Sequence, residues 1–417
     1  MSQWKITGGK RLYGELNVQG AKNAVLPIMA AAIISGCETE LLNCPHLSDV
    51  DAAMAILRHL GCTAQRDGDV IFIDSSGMNA TDIPHGLMRE MRSSVFFLGA
   101  ILARAGEARF SYPGGCELGE RPIDLHLQAL RSLGADISEQ GGSLICKPSV
   151  LCGTRINLNF PSVGATENAM LAACGAQGET VITNAAREPE IVDLQEFLQK
   201  LGAKVSGAGS STITVSGFQP SKRVGHRIMT DRIASATALC CAASAGGSVR
   251  LKNVDPRHFE AVSSALEYMG CQIERRAQSI SLTADRPLRA PRPVVTSPYP
   301  GFPTDAQPLL MAACLKAEGT AVFTENIFEN RYRHAQELKR LGADISVVGR
   351  VAMVTGVNRL QGAPVTATDL RGGAALVAAA LAADGETIVY DKGHIARGYE
   401  GLFETLCSLG AELNYQE

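Results

Sequence analysis

Four basic side chains and one carboxylate recur at a single place in a repeating pattern. Gly36, Gly106, Gly178, Gly246, Gly319 and Gly385 each close an Ala-rich stretch. Fourteen residues before them stand Lys22, Arg92, Gly164, Arg232, Asp305 and Arg371. Gly247 serves the fourth copy as well as Gly246 does, and would move its position to Ile233. Basic residues oppose the dipole in the first turn of a helix, at a cost of roughly 0.3–1 kcal/mol each. Their repetition there therefore asks for a reason. Helix N-terminal N–H groups and nearby cations together hold phosphate or carboxylate. The plainer alternative is that each cation pairs with a neighbouring carboxylate. Among such cations, Asp305 in GFPTDAQ suits a general base or an acceptor from a substrate hydroxyl. It also suits a simple helix cap. Gly164 in SVGAT, flanked by Ser162 and Thr166, allows close backbone approach to a phosphate.

A second chemical candidate is Cys116, in YPGGCELGERPID from Tyr112 to Asp124. Most of the other cysteines lie in Ala-rich text (Cys174, Cys240, Cys241, Cys314), where a thiol packs as a small hydrophobe. Cys116 instead follows two glycines and precedes Arg121, and a nearby cation raises the thiolate fraction. Its segment is the longest of six equivalents, 28 residues from Gly106 to Gly134 against 23 to 25 elsewhere. Long, glycine-bearing loops are frequent homes of function. A reactive thiol and a merely packed one both remain open on these residues.

The elements that position these groups follow from a repeat. HLGCTAQ, SLGADIS, KLGAKVS, YMGCQIE, RLGADIS and SLGAELN place glycines at Gly61, Gly134, Gly202, Gly270, Gly342 and Gly410, spaced 73, 68, 68, 72 and 68 apart. Such a fixed period marks a structural repeat. Each glycine ends a helical pattern, illustrated by Leu194, Phe197, Leu198 and Leu201. Alternating runs around a turn follow, as in ADISEQGGSLICK, and read as hairpins. One unit thus reads strand, helix, strand, helix, strand, strand. The sixth stops early at AELNYQE, while KITGGKRLYGELNVQG near the start resembles the Val354–Thr368 segment VTGVNRLQGAPVTAT. The expected division is residues 1–20 plus 230–417 as one domain of three units, closed by the N-terminal strand. Residues 21–229 form the other, with the cysteine loop. A continuous six-unit ring fits less well, because 417 residues favour more than one core.

Composition narrows the function classes. Apolar residues make up 46% and charged residues 19%, with a net charge of −3, which fits a soluble globular protein with no broad attraction to nucleic acid or membrane. No apolar run is long enough to span a bilayer. The start, MSQWKITGG, has no basic stretch followed by an apolar core, so no signal peptide is expected. Neither the 12 cysteines nor the eight histidines show metal-ligand spacing. A reducing, cytoplasmic setting, no metal and no cofactor are expected.

Taken jointly, GAKNAVLPI, MRSS, PGGCELGERPIDLH, PSVGAT, AAREPEIVD, GFPTD, TENIFENR, DLR and HIARGYE resemble the UDP-N-acetylglucosamine 1-carboxyvinyltransferase family of enolpyruvyl transferases, across essentially the whole chain. The resemblance implies a two-domain inside-out α/β barrel of six βαβαββ repeats. It implies phosphoenolpyruvate and UDP-N-acetylglucosamine as substrates, no nucleic-acid or membrane partner, and a place at the first step of peptidoglycan precursor synthesis. By the same resemblance Lys22 and Asn23 contact phosphoenolpyruvate. Arg92, Arg121 and Arg397 hold its carboxylate and phosphate, and Arg371 adds to the cationic lining. Cys116 is the loop cysteine that adds to phosphoenolpyruvate and is alkylated by fosfomycin. Asp305 lies near the sugar 3-hydroxyl. Arg121, Pro122, Ile123, Asp124, Leu125, Ser162, Val163 and Ile327 contact the sugar nucleotide. Thr230 and Ala234 stand where the family often has Pro and Glu, and Ala306 where Met or Leu is common. Two rival functions share the scaffold: a 5-enolpyruvylshikimate-3-phosphate synthase and a noncatalytic sugar-nucleotide sensor.

Overall fold

The computed structural model of the protein describes residues 2–91, 94–111, 123–148 and 150–416. Among these residues the strands form six four-stranded sheets of one recurring order. The third copy shows the plan. Strand Arg155–Asn157 leads to helix Val163–Ala173, strand Glu179–Thr183, helix Pro189–Leu201 and the hairpin Ala203–Ser206 with Thr212–Phe218. The short first strand runs parallel to the second, and the last strand of the hairpin inserts antiparallel beside it. The βαβαββ reading and the inside-out α/β fold class therefore hold.

Composition explains which helices go inside. Leu370–Ala382, LRGGAALVAAALA, buries every residue from Arg371 onward, because a helix apolar all round has no face for water. The second helix of each copy is amphipathic. Pro189–Leu201 buries Ile191, Leu194, Phe197, Leu198 and Leu201 and ends at Gly202, whose φ of 112° suits glycine. Strands alternate, as in Thr320–Thr324, which turns Ala321 and Phe323 inward.

The chain gathers into two compact units. One holds the described residues between Gly20 and Met229. Its core includes Leu26, Phe97 and Leu171 from the three Ala-rich helices Lys22–Ala31, Phe96–Ala105 and Val163–Ala173. The other holds the chain up to Gln19 and again from Thr230, around helices Arg232–Ala245, Gln307–Ala313 and Leu370–Ala382. In the Gly20–Met229 unit the late strand Arg223–Arg227 pairs in parallel with the early strand Glu38–Leu42. In the other, strand Ser2–Thr7 lies between Glu386–Asp391 and Glu412–Gln416, antiparallel to both. Trp4 on that strand is buried, edge-on to Phe403 and Tyr415. Among the described residues no helix is long and apolar enough to cross a membrane, and no group of three or more His, Cys, Asp or Glu is arranged to hold a metal ion.

Candidate active site

Within the Gly20–Met229 unit, the chemically suggestive residues gather at helix N-termini. Lys22 opens helix Lys22–Ala31 and is buried, its Nζ 2.6 Å from Asp49 Oδ2. Asn23 beside it is exposed. Ile123 is buried just before helix Asp124–Ser132, Asp124 is exposed and Leu125 half-buried. Ser162 caps helix Val163–Ala173, its Oγ accepting the Ala165 N–H at 3.4 Å, with Val163 the first helical residue. Gly164 is packed so closely that a Cβ there would stand 2.9 Å from His126 Cε1. His126 is fixed in turn. The Asn168 side-chain oxygen accepts the Gly99 N–H at 2.6 Å, so its nitrogen donates to Val95 O and His126 Nδ1. An accepting Nδ1 leaves the ring proton on Nε2. Burial pushes the His126 pKa down to about 4, against the opposing pull of Asp124. Arg92, Cys116, Arg121 and Pro122 lie outside the described residues.

In the other unit two arginines converge on one carboxylate, Asp305. Arg371, second residue of its helix, donates from Nε and Nη2 to Asp305 Oδ2 at 3.1 and 3.0 Å. Arg331 Nη2 donates to Asp305 Oδ1 at 3.2 Å. Arg331 is 1% exposed and also donates from Nε and Nη2 to the Thr304 carbonyl at 3.1 and 2.8 Å. Burial alone would raise the Asp305 pKa. Arg371, Arg331 and, further off, Arg232 outweigh it and hold the carboxyl well below the usual carboxylate range. The capping alternative for Asp305 does not hold, since helix Gln307–Ala313 has no side-chain cap and both Asp305 oxygens face guanidiniums.

Buried Glu325 supports this group. It takes the N–H groups of Ile327 and Phe328 on one oxygen, at 2.8 and 3.0 Å, and the Thr304 hydroxyl on the other at 3.0 Å. It thereby ties the Ile327 loop to the residue before Asp305. Beneath Arg371 lies the Tyr399 ring, its centroid 5.2 Å from the guanidinium carbon. Arg397 is the last residue of the short turn Ile395–Arg397 and is half-buried. Arg331, Glu325 and Tyr399 were not singled out from the sequence, although TENIFENR and HIARGYE contain all three.

The arrangement is a carboxylate held between two guanidiniums, and the chain that carries it has relatives. The family model for EPSP synthase (3-phosphoshikimate 1-carboxyvinyltransferase) matches residues 6–406. A UDP-N-acetylglucosamine 1-carboxyvinyltransferase 2 of Caldanaerobacter subterraneus subsp. tengcongensis is 48% identical over 413 residues, covering 99% of each chain. The chain belongs to the enolpyruvyl transferase family. Another member, a UDP-N-acetylglucosamine 1-carboxyvinyltransferase of Myxococcus xanthus, is 44% identical over the full length of both chains. Among solved enolpyruvyl transferases, NikO from Streptomyces tendae superposes with a TM-score of 0.87 at 27% identity, covering 100% of this chain and 99% of its own. The EPSP synthase of Acinetobacter baumannii, at 20% identity and a TM-score of 0.76 over both full chains, shares the fold.

Proposed function

We propose that this enolpyruvyl transferase moves the enolpyruvyl group of phosphoenolpyruvate to the 3-hydroxyl of UDP-N-acetylglucosamine and releases phosphate. This is the first committed step of peptidoglycan precursor synthesis, in the cytoplasm. What carries the reading is near-half identity, end to end, to relatives bearing that activity in their names. The buried carboxylate gripped by two arginines fits it. Protonation of the phosphoenolpyruvate methylene makes C2 electrophilic. The sugar 3-oxygen bonds to C2 as its proton passes to a base, for which Asp305 is the candidate. Loss of a methyl proton and cleavage of the C2–O bond to phosphate then give the enol ether. Nothing is oxidised or reduced, so the chemistry asks for no redox cofactor.

The reactants bring several negative charges, and Lys22, Arg92, Arg121, Arg371 and Arg397 are the proposed counter-charges. Asn23 joins Lys22 at phosphoenolpyruvate. Ile123 to Leu125, Ser162, Val163 and Ile327 join Arg121 and Pro122 at the sugar nucleotide. Cys116 is the proposed proton donor or product-release group. Ser162 and Val163 suit an anion because they stand at a helix N-terminus, the positive end of the helix dipole. The deciding assay is phosphate release from phosphoenolpyruvate with UDP-N-acetylglucosamine, with shikimate 3-phosphate and with neither. Release with the sugar nucleotide alone is expected. Release with shikimate 3-phosphate instead transfers the chain to the sister activity. Binding of the sugar nucleotide without release makes it a sensor.

A further inference from the structure

The turn that bears Arg397 is fastened at three points. At its start, Asp391 accepts the His394 N–H on one oxygen at 2.8 Å and the Ile395 N–H on the other at 3.1 Å. Two residues past its end, Tyr399 is buried and its hydroxyl meets Thr237 Oγ1 at 3.0 Å. Thr237 spends its own proton on the Ile233 carbonyl at 2.8 Å, so the phenol must be the donor. The third fastener comes from the far end of the sequence. Gln19 donates from Nε2 to the Gly398 carbonyl at 3.3 Å and accepts the Glu400 N–H on Oε1 at 2.7 Å. One amide thus brackets residue 399 on both sides, immediately after Arg397.

Gln19 is half-buried, and its main chain is held as well. Its carbonyl accepts the Asp231 N–H at 2.9 Å. Asp231 in turn caps helix Arg232–Ala245, accepting the N–H groups of Ile233 and Ala234 at 2.8 and 2.9 Å. The bracket is therefore anchored on a helix end, not on a loose terminus. The bracketed backbone also has little room, because a Cβ on Gly398 would sit 2.8 Å from Leu370 Cδ1, at the start of the helix that carries Arg371. A residue so placed sets where the Arg397 main chain leaves its turn, without itself belonging to the cationic set.

We propose that Gln19 is a positioning residue for Arg397: its side-chain amide fixes the Gly398–Glu400 backbone and so the place from which Arg397 reaches phosphoenolpyruvate. The kinetic part rests on the function proposed above; the structural part does not. Two full-length variants separate hydrogen bonding from shape. Gln19→Met keeps length and bulk but has no amide. Gln19→Glu keeps the acceptor for Glu400 and loses the donor to Gly398.

The expected result for Gln19→Met is faster amide exchange in the peptide spanning residues 398–402. The KM for phosphoenolpyruvate rises roughly threefold to tenfold, the scale of one or two neutral hydrogen bonds. The KM for the sugar nucleotide stays within about twofold. Gln19→Glu falls between Gln19→Met and wild type in exchange. Unchanged exchange in Gln19→Met overturns the proposal. So does an equal rise in both KM values, which marks a general structural role. Should wild-type protein release no phosphate, the proposed function fails, and the exchange comparison still decides whether Gln19 holds the turn.

Discussion

Asp305 keeps its charge because two guanidiniums hold it, and that grip also limits it as a base. A carboxylate with both oxygens occupied by arginines has little affinity for a proton. In the proposed reaction the anionic substrates compete for Arg371 and Arg331, and each contact they take makes Asp305 more basic. Asp305→Asn, which keeps shape and removes the base, is expected to lower kcat by roughly 10²–10⁴, measured as phosphate release at saturating substrates. The same ion pairs have a pH signature. The folded-state pKa of Asp305 lies below its unfolded value of about 3.9. Its contribution to stability is thus complete above that value and is lost as pH falls through the folded one. In urea unfolding, the stability difference between wild type and Asp305→Asn should be flat from pH 7 to about 5 and shrink only below about 4. A difference that fades above pH 5 would contradict the assignment. At this scale the sequence was half legible. Counting back from repeated glycines puts Asp305 and Arg371 at equivalent places, and the two meet at 3.0 Å. Arg331 and Glu325 escape such counting, because what defines them is a partner more than twenty residues away.

The Ala-rich helices position the site only as well as they pack, and one crossing shows how tight that packing is. Gly99, in the helix Phe96–Ala105, gives its N–H to Asn168 in the helix Val163–Ala173. A Cβ on Gly99 would collide with both the side-chain and main-chain oxygens of Asn168. Asn168 cannot yield cheaply, since its nitrogen is already engaged by Val95 and His126. Gly99→Ala is therefore expected to destabilise the protein by about 1–3 kcal/mol, the usual cost of overpacking, and to disturb His126 beside Gly164. Denaturant unfolding measures the first effect, and a raised KM for the sugar nucleotide the second. Wild-type values for both would show that the helices separate more easily than this contact allows. Element type was the most legible level of all. Continuous Ala-rich text marks the buried helices, and 3.6-residue spacing marks the amphipathic ones. The glycine that lets two helices touch carries no comparable mark, because closeness depends on the partner helix and not on the local pattern.

At the scale of the molecule, chain order and spatial order part company at the N-terminus. Strand Ser2–Thr7 is hydrogen-bonded along both edges and buries Ile6 and most of Trp4. Fully burying one such side chain is worth roughly 1.5–3 kcal/mol, and the strand also satisfies two rows of backbone groups. Deleting residues 2–7 from the full chain should therefore lower the melting temperature sharply, or abolish cooperative unfolding in part of the molecule, as followed by circular dichroism and calorimetry. An unchanged transition would show the strand to be dispensable. Repeat period and strand–helix order gave away the fold class from the sequence, because a period survives divergence of the individual residues. The same threading has a consequence for synthesis. The ribosome emits this strand long before its neighbours Glu386–Asp391 and Glu412–Gln416, whereas the Gly20–Met229 segment contains both edges of its own closure. That segment can finish while translation continues; the remaining sheet waits, with its early strand unpaired, until those two distant strands have been made.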